Sequence, residues 1–291
     1  MPRLSIIIVS YNTAEVTTAC IQSILAAKQL HPVDIEILVV DNASTDDSVD
    51  KIRSLKSPVI RVIPQKVNLG FGKANNVALS SAKGSYILFL NSDTIVSTIN
   101  FPALLEYMDR HSSVGILTVR VLLPTGELDP ASHRGFPTVW RSFTYFSKLE
   151  AITRSLPFIN KLFGGYHLTH LNQAREHEID SPSGAFFLTR KAILDRIGGF
   201  DESFFMYGED LDLAKRIKEQ GYTVVFYPHQ SITHLKGVSG IKHANKKRST
   251  ATTSYFYDAM RIFYDKHYAR NYPPVINRFI HWVIASKSKH S

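Results

Sequence analysis

The sequence predicts an α/β protein with a mostly parallel central sheet flanked by helices. Three observations carry this. Residues 4–9, 35–40, 59–63 and 86–90 are apolar runs of strand length. Segments with helical spacing separate them. The runs are apolar throughout rather than alternating, as in strands covered on both faces.

The first hundred residues justify each element in turn. The strand at 4–9 leads into a helix at 15–27, the strand at 35–40 into a helix at 46–55, and the strand at 59–63 into a helix at 73–82. Right-handed crossovers are expected for such βαβ units. Beyond the fourth strand the pattern loosens. A helix at 101–110 and a strand at 114–122 precede an irregular stretch, 124–180, rich in aromatics, His and Gly. Order returns with an apolar run at 183–188, a helix at 191–196 and a loop at 198–207. A helix at 209–220, stopped by Gly221, and a strand at 223–227 follow. Two further helices are expected at 252–268 and 274–286.

Of 291 residues, 44% are hydrophobic and 20% charged, which excludes a disordered chain. The one cysteine, Cys20, cannot form an intramolecular disulfide and suits a reducing compartment. The N-terminal segment does not read as a leader peptide, and no apolar stretch has the length of a membrane span. A cytoplasmic location is therefore expected. Net charge is +9, but residues 241–291 hold ten Lys or Arg against two Asp, so +8 of it sits there. In the last expected helix Val275, Ile276, Phe279, Ile280 and Val283 share one side, with Trp282 and lysines nearby. That pattern suits an in-plane membrane helix, the rival reading being a stripe packed on the protein or on a second copy in a homodimer. Nucleic acid is not an expected partner, since no motif accompanies the charge.

Ligands of open parallel sheets bind beyond the carboxyl ends of the strands. Those ends carry Ser10-Tyr11-Asn12, Asp41-Asn42 and Asn91-Ser92-Asp93, and the third strand is followed by a loop with Asn68 and Gly70. Neither a dinucleotide-binding Gly-x-Gly-x-x-Gly turn nor a P-loop occurs. Asp93 suits a hard divalent cation shared with phosphate oxygens, and equally a turn cap. Asp41 lies too early to cap the next helix and could accept hydrogen bonds from a base or ribose. Glu209, Asp210 and Asp212 favour the helix macrodipole. Adjacent Glu209 and Asp210 diverge by roughly 100°, so one can serve as general base while structure holds the other. His229 and His234 follow the last strand and suit metal ligation or plain surface hydrogen bonding. Gly237, Ser239 and Gly240 mark a pliable loop after His234. In Ser132-His133-Arg134, Arg134 offers a cation for diphosphate or acceptor, the alternative being a solvated side chain.

At these residues the chain resembles inverting glycosyltransferases of family 2 with the GT-A fold. The resemblance spans roughly residues 4–240. It rests on SIIIVSYN (5–12), VVDNASTD (39–46), NLGFGKAN (68–75), LFLNSD (88–93), SGAF (183–186), GGFD (198–201) and YGEDLD (207–212), in that order. Within the family it is most similar to bacterial rhamnosyltransferase-like enzymes of cell-surface polysaccharide synthesis. The resemblance implies a transferase domain over 1–240, with a nucleotide-binding half at 1–100 and an acceptor-binding half at 101–240, and a basic helical extension over 241–291. It implies that Ser10, Tyr11, Asn12, Asp41, Asn68, Gly70, Lys73, Asn91, Ser92 and Asp93 hold a nucleoside-diphosphate sugar. Asp93 and His234 would hold Mg²⁺ or Mn²⁺. Asp210 would be the general base, with Glu209 beside it. Ser183, Gly184, Ala185, Tyr207 and Arg134 would contact a glycan or lipid-linked acceptor. One departure is that Asn91 stands where the first acid of the Asp-x-Asp motif is expected, leaving a cation's charge less compensated. A membrane surface is the implied site of action, with the protein peripheral on its inner face. The rival readings are a catalytically degenerate sugar-nucleotide-binding scaffold and a sugar-nucleotide pyrophosphorylase, whose Gly-rich basic signature is missing.

Overall fold

The computed structural model describes residues 1–236 and 246–290. The expected Gly237–Gly240 loop lies outside them. The first half runs β1 (Leu4–Ser10), α1 (Ala14–Leu30), β2 (Ile35–Asp41), α2 (Ser48–Ser54), β3 (Ile60–Pro64), α3 (Phe71–Leu79), β4 (Tyr86–Phe89) and β5 (Thr94–Ile95). Then come α4 (Phe101–Arg110), β6 (Val114–Leu122), α5 (Val139–Phe146), α6 (Leu149–Ile152), α7 (Pro157–Phe163), β7 (His177–Glu178), β8 (Phe187–Arg190) and α8 (Lys191–Ile197). The chain continues through α9 (Glu209–Glu219), β9 (Thr223–His234), α10 (Lys246–His267) and α11 (Pro274–His290).

One sheet has the order β3-β2-β1-β4-β8-β6-β9-β5, with β7 on β9. The first four strands are mutually parallel, as expected. β8 runs antiparallel to both β4 and β6, while β6 and β9 are parallel. The non-alternating strands follow from burial on both faces. Leu4, Ile6 and Ile8 of β1 pack with Ile21 and Ile24 of α1 and Leu104 and Met108 of α4. Ile7 faces the opposite cluster, with Ala74 and Ala78 of α3 and Leu213 and Ile217 of α9.

Three expectations need correction. The stretch 124–180 is not irregular throughout, because it holds α5, α6 and α7. These helices are short and take their order from tertiary contacts rather than periodicity. The run at 183–188 is displaced, since the strand there is β8, Phe187–Arg190. The last strand does not stop at Tyr227. β9 steps past residues 228–230, pairing Tyr227 with Val119 and Ser231 with Arg120, so Pro228 leaves the ladder instead of ending it. His234 therefore sits in a strand, opposite Thr94 of β5.

The C-terminal helices pack on the preceding residues. Ala259 and Phe263 of α10 share a cluster with Phe204 and Leu211. Gly208, before α9, has φ +79°, and a Cβ there would meet Ala259 at 3.2 Å. Fully buried Asp212 accepts from Lys266 Nζ at 2.7 Å, His267 Nε2 at 2.8 Å and Arg216 Nε at 2.7 Å. Burial opposes its charge, but these partners hold the carboxyl down at about 2.

Candidate active site

The carboxyl ends of β1, β2 and β4 meet on one edge of the sheet, as their parallel register requires. A cavity of 830 Å³ opens there and continues past α9 to α5, α10 and α11. Gly70 shapes its floor. Its φ is +78°, and a Cβ would meet the carbonyl oxygen of Phe205 at 2.3 Å, so only glycine lets the 204–208 loop close over α3. Asn42 ties the same region together, donating from Nδ2 to Asn68 Oδ1 (2.9 Å) and to the Gly70 carbonyl (3.1 Å), and accepting from the Leu69 amide (2.8 Å).

Tyr11, Asn68, Gly70, Asn91, Ser92, Asp93, Arg134, Ser183, Gly184, Tyr207, Glu209, Asp210 and His234 all border this cavity. Ser10, Asn12, Asp41, Lys73 and Ala185 do not. Ser10 Oγ is buried against the hydroxyls of Thr13 and Thr17. Asn12, in a left-handed conformation (φ +53°), accepts from the Thr45 amide and so latches two strand ends together. Asp41 accepts from the Ser44 amide through one oxygen, while its buried Oδ1 has no hydrogen-bond partner. Lys73 reaches outward to Glu202 at 3.3 Å, and Ala185 is fully buried in the core. His229 is exposed and stacks its edge on Tyr227, away from the cavity.

Asp93 and His234 are in contact, with Oδ1 accepting from Nε2 at 3.0 Å. The other ring nitrogen donates to Asp129 Oδ2 at 2.8 Å. Burial disfavours an imidazolium here, yet the hydrogen bonds to Asp129 and Asp93 carry His234 up to about 9. Asp129, fully buried, also accepts from Lys236 Nζ (2.8 Å), and these partners outweigh burial to hold it far below the usual carboxylate range. Among the described residues no group of three or more His, Cys, Asp or Glu side chains is arranged to hold a metal ion. A carboxylate and an imidazole backed by a second carboxylate do fit Mg²⁺ or Mn²⁺, provided substrate phosphate oxygens supply further ligands.

Arg134 is not a solvated side chain. It is buried, donating to Asp210 Oδ2 (2.7 Å) and to the Pro182 carbonyl (2.8 Å), with Tyr166 also bonded. His133 supplies no cation, because burial pushes it down to about 4 and it bonds His177 Nε2 at 2.6 Å. Glu209 and Asp210 both border the cavity but differ in partners. Asp210 Oδ1 accepts from the Leu211 amide at 2.7 Å, whereas Glu209 Oε2 is buried without a partner. Burial, with the neighbouring Asp210 charge, pushes the Glu209 carboxyl up to about 8.

Sequence reasoning missed Asp129, Tyr166, Asn42 and Lys236. Asp129-Pro130 reads as a turn, and Tyr166 falls in the aromatic-rich stretch where no period marks it. Asn42 was visible beside Asp41, and its strand-end position was the available signal.

The sequence profile described as glycosyl transferase family 2 matches residues 5–198. The chain belongs to glycosyltransferase family 2. A second profile, described as the N-terminal domain of galactosyltransferase, matches residues 169–243. One relative, the N-acetylglucosaminyl-diphospho-decaprenol L-rhamnosyltransferase of Mycobacterium tuberculosis, is 27% identical over 70% of this chain and 68% of its own length. The Escherichia coli UDP-Glc:alpha-D-GlcNAc-diphosphoundecaprenol beta-1,3-glucosyltransferase WfaP is 36% identical over 38% of this chain and 42% of its own. Among solved structures, a mannosyltransferase from Pyrobaculum calidifontis in complex with GDP-Man and Mn²⁺ superposes with TM-score 0.59 at 17% identity, covering 96% of this chain and 68% of that one. Staphylococcus aureus TarS 1–349 in complex with UDP-GlcNAc gives TM-score 0.57 at 19% identity, covering 90% and 65%. This chain thus spans about two thirds or less of the proteins it matches. It is a glycosyltransferase with the GT-A fold.

Proposed function

We propose that this family 2 enzyme transfers a sugar, rhamnose being the leading candidate, from a nucleoside-diphosphate donor to a hydroxyl of a lipid-linked acceptor, with inversion, in cell-surface polysaccharide synthesis. The observation that carries the reading is one continuous cavity. It bears Asp93 and His234 near the strand ends, Asp210 further along, and an apolar wall of α5, α10 and α11 beyond. The M. tuberculosis relative named for a decaprenol-linked substrate supports the acceptor class and the sugar.

The donor nucleoside lies against Tyr11, Asn42 and Asn68, with its diphosphate toward Asp93 and Ser92. A divalent cation held by Asp93 and His234 would offset charge on the leaving diphosphate. His234 would hold the cation through a neutral Nε2, with its other ring nitrogen kept on Asp129. Asp210 accepts the proton of the acceptor hydroxyl as that oxygen attacks the anomeric carbon, and one displacement inverts the centre. Arg134 holds Asp210 in position before the acceptor arrives. Glu209, held protonated near neutrality, borders the site without adding a second negative charge. The protein works peripherally at the inner membrane face, its basic C-terminal helices on the lipid side. No helix among the described residues is long and apolar enough to cross a membrane.

Asp210→Asn tests the assignment. Calorimetry with Mn²⁺ and a panel of sugar nucleotides should show donor binding retained, while transfer falls by about 10²–10⁴-fold. Full transfer by the variant would refute the base assignment. Absence of donor binding by the wild type would refute the transferase reading.

A further inference from the structure

The hairpin formed by α6 and α7 is turned inside out. Glu150, Thr153 and Asn160 point inward: Asn160, 1% exposed, donates to the Glu150 carbonyl and to Thr153 Oγ1, both at 3.2 Å, and accepts from Thr169 at 2.7 Å. Glu150, also buried, accepts from the His167 amide at 3.0 Å. Its apolar residues point outward, with Phe158 96% exposed and Ile152, Leu156, Ile159 and Leu162 all exposed. Such a patch on a well-bonded element marks an interaction surface.

The patch is continuous with the cavity. Trp140 of α5 donates from Nε1 to the Leu162 carbonyl and lies 5.8 Å from the Phe163 ring and 5.7 Å from Phe143. Phe143 of α5 and Phe279 of α11 both border the cavity and are more than half exposed, so the cavity opens between these helices. On the α11 side, exposed Trp282 stacks on Phe279, and Val275 is exposed beside them.

We propose that the α6–α7 hairpin and the outer face of α11 together dock on an anionic lipid bilayer, placing the cavity's apolar mouth against the hydrocarbon boundary. Charge selects this occupant over a second copy of the chain. Lys148, Arg154 and Lys161 are exposed around the hairpin, its one acid is buried, and Arg278 and Lys287 are exposed on α11, which has no acid. Two such faces repel each other but attract acidic headgroups. Exposed tryptophans at the rim suit the headgroup layer.

Flotation of the full chain, without donor or acceptor, reads this directly and independently of any transferase activity. Vesicles containing about one third phosphatidylglycerol should carry the wild type upward, and pure phosphatidylcholine vesicles should carry much less. Phe158→Glu with Leu162→Glu, both outside the cavity wall, should lower the bound fraction at least about tenfold. A Phe158→Ala, Leu162→Ala pair with unchanged circular dichroism melting should show the same direction. Equal flotation of either pair and the wild type would overturn the proposal. So would no flotation of the wild type, equal binding to both vesicle types, or a dimer that the variants convert to monomer.

Discussion

Asp212→Asn probes whether the C-terminal helices are part of the transferase body. The wild-type carboxylate is fully buried and accepts hydrogen bonds from Arg216 and from Lys266 and His267 of α10. Its value of about 2, against an ordinary 3.8, corresponds to about 2 kcal/mol of stability. Its folded value is depressed, so this contribution is fully present above the unfolded value and is lost as pH falls through the folded one. About half should remain near pH 3. Loss of one partner from a buried ion network typically destabilises by about 3–5 kcal/mol. Here Lys266 keeps Asp201 and Arg216 keeps the carbonyls of Ile197 and Gly199, which favours the lower end. For a chain of this size roughly 3 kcal/mol lowers Tm by about 6–10 °C. Thermal melting of both proteins at neutral pH and at steps down to pH 3 measures it, and the gap should narrow below pH 4. An unchanged Tm at neutral pH, or a gap that stays constant into acid, would refute the reasoning.

Two further outcomes follow from the site. Asp129→Asn removes the carboxylate behind His234, so affinity for Mn²⁺ with a sugar nucleotide should fall about 10–100-fold; calorimetry measures it, and unchanged affinity would detach Asp129 from the cation site. Glu209, raised from an ordinary 4.5 to about 8, should make wild-type stability fall as pH rises between those values and level off above. Glu209→Gln should abolish that slope in melting experiments, and a slope unaltered by the variant would count against a protonated Glu209.

The parallel half was legible because its physics is local in the chain. Strands buried on both faces must be apolar throughout, and the turn residues that follow them fall on one sheet edge by the handedness of the crossovers. Asp93 and Asp210 were found at a strand end and a helix start. The Asn12 side chain, by contrast, reads as a ligand in the sequence, and in the structure it bridges two strand ends by accepting from the Thr45 amide. Position in the chain cannot tell a latch from a contact, because both need a polar side chain at a strand end.

By itself, then, the sequence determined the fold class, the family and the sheet edge on which the polar strand-end residues gather. Tertiary structure alone decided the electrostatics. Arg134 and Asp210 are 76 residues apart, and their 2.7 Å pairing exists only once the chain closes. Asp129 reaches His234 across 105 residues. The basic tail, which its composition left between membrane and protein, packs in part on the protein in the structure. α10 is pinned to Asp212, while α11 turns Ile280 and Val283 to the cavity and leaves Phe279 and Trp282 partly in solvent. The reason is that an amphipathic period records that a face is apolar, and only packing decides what covers it.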